Sequence, residues 1–377
     1  MTEYLTGERS RSVSKQNLPR LPNGMHFQCI FHRGGTYLPF LFNRGGDSVS
    51  TGLGGIFKGK LWVLMSYGLI LFASMLNAHC SSGGQSRPKS QDHVNPLHDA
   101  RTSPTEDNSI GWFKAGTPNK INGVALVIHG LNLRPCKMES IITLLTDSGI
   151  DVLNLSLRGH GRNYSHEVNV DSSEARIEAF KTVSYKLWMD ETYRAYRHAR
   201  KRSDEKKVSL FFVGFSFGGL IGGDLFATHP DVRFDKMVLL APALDIYTIH
   251  YVAKLLSPFP GLVIPSLTSK SYLANNGTPM AAYNALFETI KHFNQHIGPK
   301  LNVPTIIFID PQDELVSYRK LKRRVEKETL DQWQFHRLEK GTTGVQEKMH
   351  HLIIDEPSVG TDTWNQMKII MTEHLLP

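Results

Sequence analysis

Apolar residues in this chain cluster in short unbroken runs from about residue 110 onward. GVALVIHG (123–130), DVLNLSL (151–157), VSLFFVG (208–214), DKMVLLAP (235–242) and VPTIIFID (303–310) are rich in β-branched residues, Leu and Phe. A strand with one face in water would alternate apolar with polar, so these continuous runs predict strands buried on both faces. Between them, the stretches 138–146, 173–202 and 220–227 predict helices. Strands alternating with helices predict an α/β domain: a mostly parallel open sheet with helices on both faces. In such sheets functional groups gather at the carboxyl ends of the strands.

The pattern before residue 110 is different. Residues 1–60 show neither helical nor strand periodicity and hold eight Lys/Arg against three Asp/Glu, which predicts a basic extension without a stable fold. Residues 61–76 (LWVLMSYGLILFASML) carry no charge and follow Lys58 and Lys60, the charge order of an export signal. This run is slightly short for a membrane span. Asn77, Ala78, His79, Cys80 and the segment SSGGQS come next, and they are similar to the end of a bacterial lipoprotein signal. The match departs from that pattern in having Leu76 four residues before Cys80 and His79 directly before it. Residues 61–80 are therefore read as a signal-like or membrane-anchor segment, with export, lipidation at Cys80, an uncleaved anchor and a buried helix left open. An exported or membrane-associated location, as of a bacterial lipoprotein, is expected ahead of a cytoplasmic one. Residues 81–109 read as a polar linker, and residues 110–377 as one domain.

Composition narrows the classes. A hydrophobic share of 40% and a charged share of 21% suit a protein with a sizeable core. The formal charge of +8 is concentrated in residues 1–60, so no nucleic-acid partner is expected. The later basic run RHARKRSDEKK is interrupted by Asp204 and Glu205 and reads as a solvated helix end. Cys29, Cys80 and Cys136 have neither a disulfide-framework nor a zinc-site spacing, so no metal is expected, and Cys136 reads as a small packed residue. No GxGxxG at the first strand-to-helix turn and no P-loop occur, so no nucleotide cofactor is expected.

The sharpest chemical signal is Gly214, Phe215, Ser216, Phe217, Gly218, lying directly after an apolar strand and before a helical segment. A serine exposed on a strained strand-to-helix turn is a nucleophile elbow. Its hydroxyl needs a base, and the base needs an oriented acid. An acid and then a histidine should follow in the chain. Asp310 and Asp313 end the run VPTIIFIDPQD, and His350 and His351 lie in KMHHLIID.

From residue 121 to the end the chain resembles the α/β-hydrolase superfamily, in its esterase/lipase and lysophospholipase-like branch. Aligned on IFIDPQDELV and HHLIID, the resemblance implies Asp313 as the acid and His351 as the base, with Asp310 and His350 standing where the family often has Gly. Asp310 and His350 remain the alternatives. VIHGLN resembles the family's His-Gly-X turn, which implies an oxyanion hole from the N–H groups of Leu131 and Phe217. His129, and His160 in the similar RGHG loop, read as structural. The long stretch between residues 242 and 303 implies an inserted helical cap at about 245–300, rich in Leu, Ile, Tyr, Phe and Pro. The function implied is a serine hydrolase that cleaves carboxylic esters of small molecules or lipids, such as an acylglycerol or lysophospholipid, through an acyl-enzyme. A peptidase or amidase of the same fold, and a non-catalytic binding protein on the same scaffold, are the alternatives.

Overall fold

The computed structural model describes residues 26–27, 41–42, 108–116, 120–164, 172–266, 268–341 and 344–376. The chain divides into two units, Met1–Gln91 and Asp92–Pro377. In the first, the described residues form one antiparallel ladder of β1 (His26–Phe27) with β2 (Leu41–Phe42). Apart from that ladder, the basic extension, the signal-like segment at 61–80 and the linker up to residue 107 lie outside the described residues. Among the described residues no helix is long and apolar enough to cross a membrane.

The second unit is built on seven strands: β3 (Ile110–Phe113), β4 (Gly123–Ile128), β5 (Ile150–Leu155), β6 (Leu210–Phe215), β7 (Lys236–Leu240), β10 (Thr305–Ile309) and β11 (Trp333–Arg337). A separate hairpin pairs β8 (Val263–Pro265) with β9 (Gly277–Pro279). The sheet order is β11-β10-β7-β6-β4-β5-β3, parallel throughout except for β3, which runs antiparallel to β5. All five apolar runs form strands of this sheet. Along β4, Val124, Leu126 and Ile128 enter one core cluster while Ala125 and Val127 enter the other, so both faces are buried as continuous apolarity requires.

The helices are α1 (Glu139–Asp147), α2 (Ser172–Lys181), α3 (Tyr185–Lys206), α4 (Phe217–Thr228), α5 (Met280–His296), α6 (Tyr318–Lys327), α7 (Glu356–Val359) and α8 (Thr361–Leu375). The single helix expected over 173–202 is two helices. Ser184 breaks it by accepting the Leu187 N–H at 3.2 Å, an N-cap that starts α3 afresh. Trp188 of α3, Leu220 of α4 and Phe293 of α5 share one core cluster, whereas Ile141 of α1 and Met367 of α8 belong to the cluster on the other face. Each fully buried side chain of this size contributes about 1.5–3 kcal/mol.

The stretch expected as a cap has two characters. Its first part, a 3₁₀ segment (Thr248–Leu256) and the turn leading to β8, exposes Ile249, Val252, Leu255 and Phe259. Its last part, α5, buries Ala281, Ala282, Ala285 and Phe293 in the core and packs on α4.

Helix α4 is buried along nearly its whole length, and Gly218 and Gly222 are where it lies against the sheet. A Cβ on Gly218 would lie 2.2 Å from the carbonyl oxygen of Ile128 and 2.6 Å from that of His129. Those atoms belong to backbone that cannot rotate away. Gly218→Ala is therefore expected to destabilise the fold by about 2–3 kcal/mol, read as a lower urea midpoint at unchanged slope. An unchanged midpoint would show that α4 can retreat from β4 at no cost.

Candidate active site

One residue, Ser216, separates the end of β6 from the start of α4, and it takes φ 51° and ψ −116°. A positive φ is costly for a residue with a Cβ and persists only where neighbours enforce it. Here the Ser216 N–H donates to the Leu240 carbonyl at 2.8 Å, and the Ser216 carbonyl accepts the Ala243 N–H at 3.0 Å. The turn is thus stitched to the end of β7. It leaves the Ser216 side chain at the carboxyl edge of the sheet.

The structure brings Ser216, His351 and Asp313 together. Ser216 Oγ lies 2.8 Å from His351 Nε2, and His351 Nδ1 lies 2.8 Å from Asp313 Oδ2. With the ring proton on Nδ1, His351 donates to the carboxylate and accepts from the serine hydroxyl, the tautomer a general base needs. Asp313 is 2% exposed, which for an unpaired carboxylate would be costly. Its other oxygen accepts the N–H groups of Leu315 (2.7 Å) and Val316 (2.8 Å), so the turn after β10 both satisfies and aims it.

The two alternative residues form a second pair. His350 Nδ1 lies 2.6 Å from Asp310 Oδ2, while Asp310 Oδ1 accepts the Gln312 N–H at 2.8 Å. Glu314, which the sequence did not single out, joins the two loops. Its carboxylate oxygens accept the backbone N–H groups of His350 and of His351, each at 3.0 Å. The only signal for it was an acid directly after Asp313.

The loop after β4 faces the serine: a Cβ on Gly130 would lie 3.3 Å from Ser216 Cβ. The peptide unit joining Gly130 to Leu131 is held by its oxygen, which accepts from His129 Nδ1 at 2.8 Å and from the Leu133 N–H at 3.1 Å. In a trans peptide the N–H points opposite the C=O, so fixing the Gly130 oxygen fixes the direction of the Leu131 N–H. Neither the Leu131 nor the Phe217 N–H donates a backbone hydrogen bond among the described residues. The Phe217 amide, at the first turn of α4, also carries the positive end of the helix dipole. Chemically, a serine hydroxyl bonded to an imidazole that is itself bonded to a buried carboxylate can lose its proton to that imidazole and attack a carbonyl. Among the described residues no group of His, Cys, Asp and Glu is placed to hold a metal ion.

Residues 119–278 match the family model described as serine aminopeptidase, S33. No curated protein matches the chain. Among solved structures, it is similar to a soluble variant of monoglyceride lipase from Saccharomyces cerevisiae (15% identity, 77% of this chain and 98% of that one, TM-score 0.58). It is also similar to a metagenome-derived lipolytic enzyme (17% identity, 72% and 98%, TM-score 0.54). The monoacylglycerol lipase of Paleococcus ferrophilus aligns at 17% identity over 70% and 99% of the two chains, with a TM-score of 0.50.

Two buried imidazoles support the loop. His129 Nε2 accepts the Leu157 N–H at 3.1 Å, and His160 Nε2 accepts the Asn132 N–H at 3.0 Å, so each ring works as a neutral Nδ1–H tautomer. Burial pushes His129 down to about 4, and burial together with the neighbouring His129 pushes His160 well below the ordinary imidazole value. Below pH 6.5 the unfolded chain therefore binds protons that the native state refuses, and stability falls as pH drops toward 4. His129 alone accounts for on the order of 3 kcal/mol across that window. Urea unfolding between pH 7.5 and 4.5 is expected to show this slope, and His129→Gln to flatten it. An equal slope in the variant would mean that His129 is protonated in the native state.

Proposed function

We propose that this chain, whose fold is that of the α/β-hydrolases, is a serine hydrolase of carboxylic esters. The observation that carries the reading is the hydrogen-bonded line from Ser216 through His351 to Asp313, starting on a strained turn. Ser216 Oγ attacks the ester carbonyl as His351 Nε2 takes its proton. Asp313 holds the imidazolium that forms, and the N–H groups of Leu131 and Phe217 receive the oxyanion. Collapse expels the alcohol, protonated by His351, and leaves the acyl group on Ser216. Water, deprotonated by the same imidazole, then releases the acid.

The substrate side is argued from the first part of the cap. Ile249, Leu255 and Phe259 are 64%, 75% and 62% exposed, an apolar patch of a kind soluble proteins keep for contacts. Such a surface favours a substrate with an apolar acyl chain, an acylglycerol or a lysophospholipid, and the lipases among the structural neighbours are of that kind. Residues 61–80, acting as signal or anchor, would deliver the enzyme to where such substrates reside. The aminopeptidase description of the matched family model supports a second reading, cleavage of an amide by the same groups.

An ester panel run beside aminoacyl anilides separates the two readings, with turnover of p-nitrophenyl esters at least tenfold above the anilides expected, since amides are the harder acyl donors. Ser216→Ala is expected to lower kcat by about 10⁴-fold or more, Asp313→Asn by about 10⁴-fold, and Asp310→Asn by less than about tenfold. Fluorophosphonate labelling should occur at Ser216; its failure, with the protein folded, would favour a binding protein. Equal losses in the two aspartate variants would overturn the assignment of Asp313.

A further inference from the structure

The segment from Tyr272 to Asn275 is bonded both to the loop that carries the Leu131 amide and to the loop that follows His351. Its backbone and Asn275 make the first set of bonds. Asn132, next to Leu131 and at φ 54°, accepts the Asn275 N–H on its side-chain oxygen (2.9 Å) and donates from its amide nitrogen to the Asn275 carbonyl (3.0 Å). Its backbone carbonyl accepts the Ala274 N–H at 2.9 Å, and the Arg134 N–H donates to the Tyr272 carbonyl at 2.8 Å. Asn275 Nδ2 also donates to the Gly159 carbonyl at 2.9 Å, which adds the loop after β5.

On its other side, through the side chain, the Tyr272 hydroxyl donates to the Asp355 carboxylate at 2.9 and 3.0 Å. Asp355 caps α7 and lies four residues after His351. Asn132, Tyr272, Asn275 and Asp355 are all buried, so each of these bonds forms away from competing water. Residues 132 and 275 are 143 apart in the chain, and nothing local would hold them together.

We infer that Tyr272–Asn275 is a strap that fixes the spacing between the oxyanion loop and the histidine loop, with Asn132, Tyr272 and Asn275 as positioning residues. Its catalytic consequence rests on the serine-hydrolase reading; its mechanical consequence does not. A tie that spans two loops transmits a loss at either end to the other. Tyr272→Phe removes only the hydroxyl, and Asn132→Gly removes the amide while keeping a residue that accepts the positive φ.

Hydrogen exchange followed by mass spectrometry on the full chain tests the mechanical part. Tyr272→Phe is expected to raise exchange in peptides covering residues 130–134, which its hydroxyl does not touch, and Asn132→Gly to raise it in peptides covering 350–356. Changes confined to the mutated end in both variants would overturn the strap. In ester turnover each variant is expected to lower kcat by roughly 10- to 100-fold with KM within about twofold, and the double variant to lose no more than the worse single one. Additive losses, or unchanged kcat with only a lower Tm, would reduce these residues to ordinary stability elements. If the native protein turns over no ester, the hydrolase reading fails while the exchange result still decides the strap.

Discussion

The contact on which the site depends is the approach of α4 to the end of β4, where Gly218 lies against the Ile128 and His129 carbonyls with no room for a side chain. That contact sets the height of the turn at Ser216 and brings Gly130 against the serine Cβ. The positive φ of Ser216 is a consequence of it, because a strand that must reverse into a helix so close to its neighbour has no relaxed route. The cost is spread over the buried underside of α4, where Phe217 and Leu220 face Trp188 and its neighbours in a single core cluster. A site built on a loop alone would lack this support.

Much of this was legible in the residues, for reasons that also explain what was not. The five central strands announced themselves because burial on two faces makes a run continuously apolar. Strand β11 did not, since at the sheet edge only Trp333 of its WQFHR is buried and the polar Gln334, His336 and Arg337 interrupt the apolar run. The break between α2 and α3 was hidden because Thr182, Val183 and Ser184 include neither Gly nor Pro. The resemblance singled out Asp313 with His351, but residue types alone left Asp310 and His350 open, because the two aspartates lie on one turn and either could face a histidine. Only coordinates show that each takes a different ring. The link from Asn132 to Asn275 left no pattern at all, since polar residues in two distant loops carry no periodicity.

The pairing of Asp310 with His350 beside Asp313 with His351 has a shared electrostatic character. Both carboxylates are almost wholly buried, yet each is satisfied by backbone N–H groups of its own turn as well as by an imidazole. Fixed dipoles of this kind need no rearrangement when a neighbouring charge appears. A proton arriving on His351 would meet a field already oriented for it, which is how preorganisation lowers a barrier. Glu314 extends the same logic to the backbone, since its carboxylate grips the amides of both histidines and ties their position to the turn that carries Asp313.

The cap region divides its work along the same lines. At Ser266 and again from Tyr272 to Asn275 it is bonded to buried partners, with Asn132 reaching both Ser266 and Asn275. From Ile249 to Phe259 it turns large apolar side chains outward. Displacing the first group would break several buried hydrogen bonds at once, each costly when left unpaired. The second is held by its inner side, where Thr248 accepts from Lys320 Nζ at 2.9 Å and Tyr251 stacks on Phe287 at 5.4 Å, while its outward side chains stand in water. The two parts thus differ in what they do with their side chains: the later one is tied to the loop that carries the Leu131 amide, and the earlier one presents apolar surface to solvent.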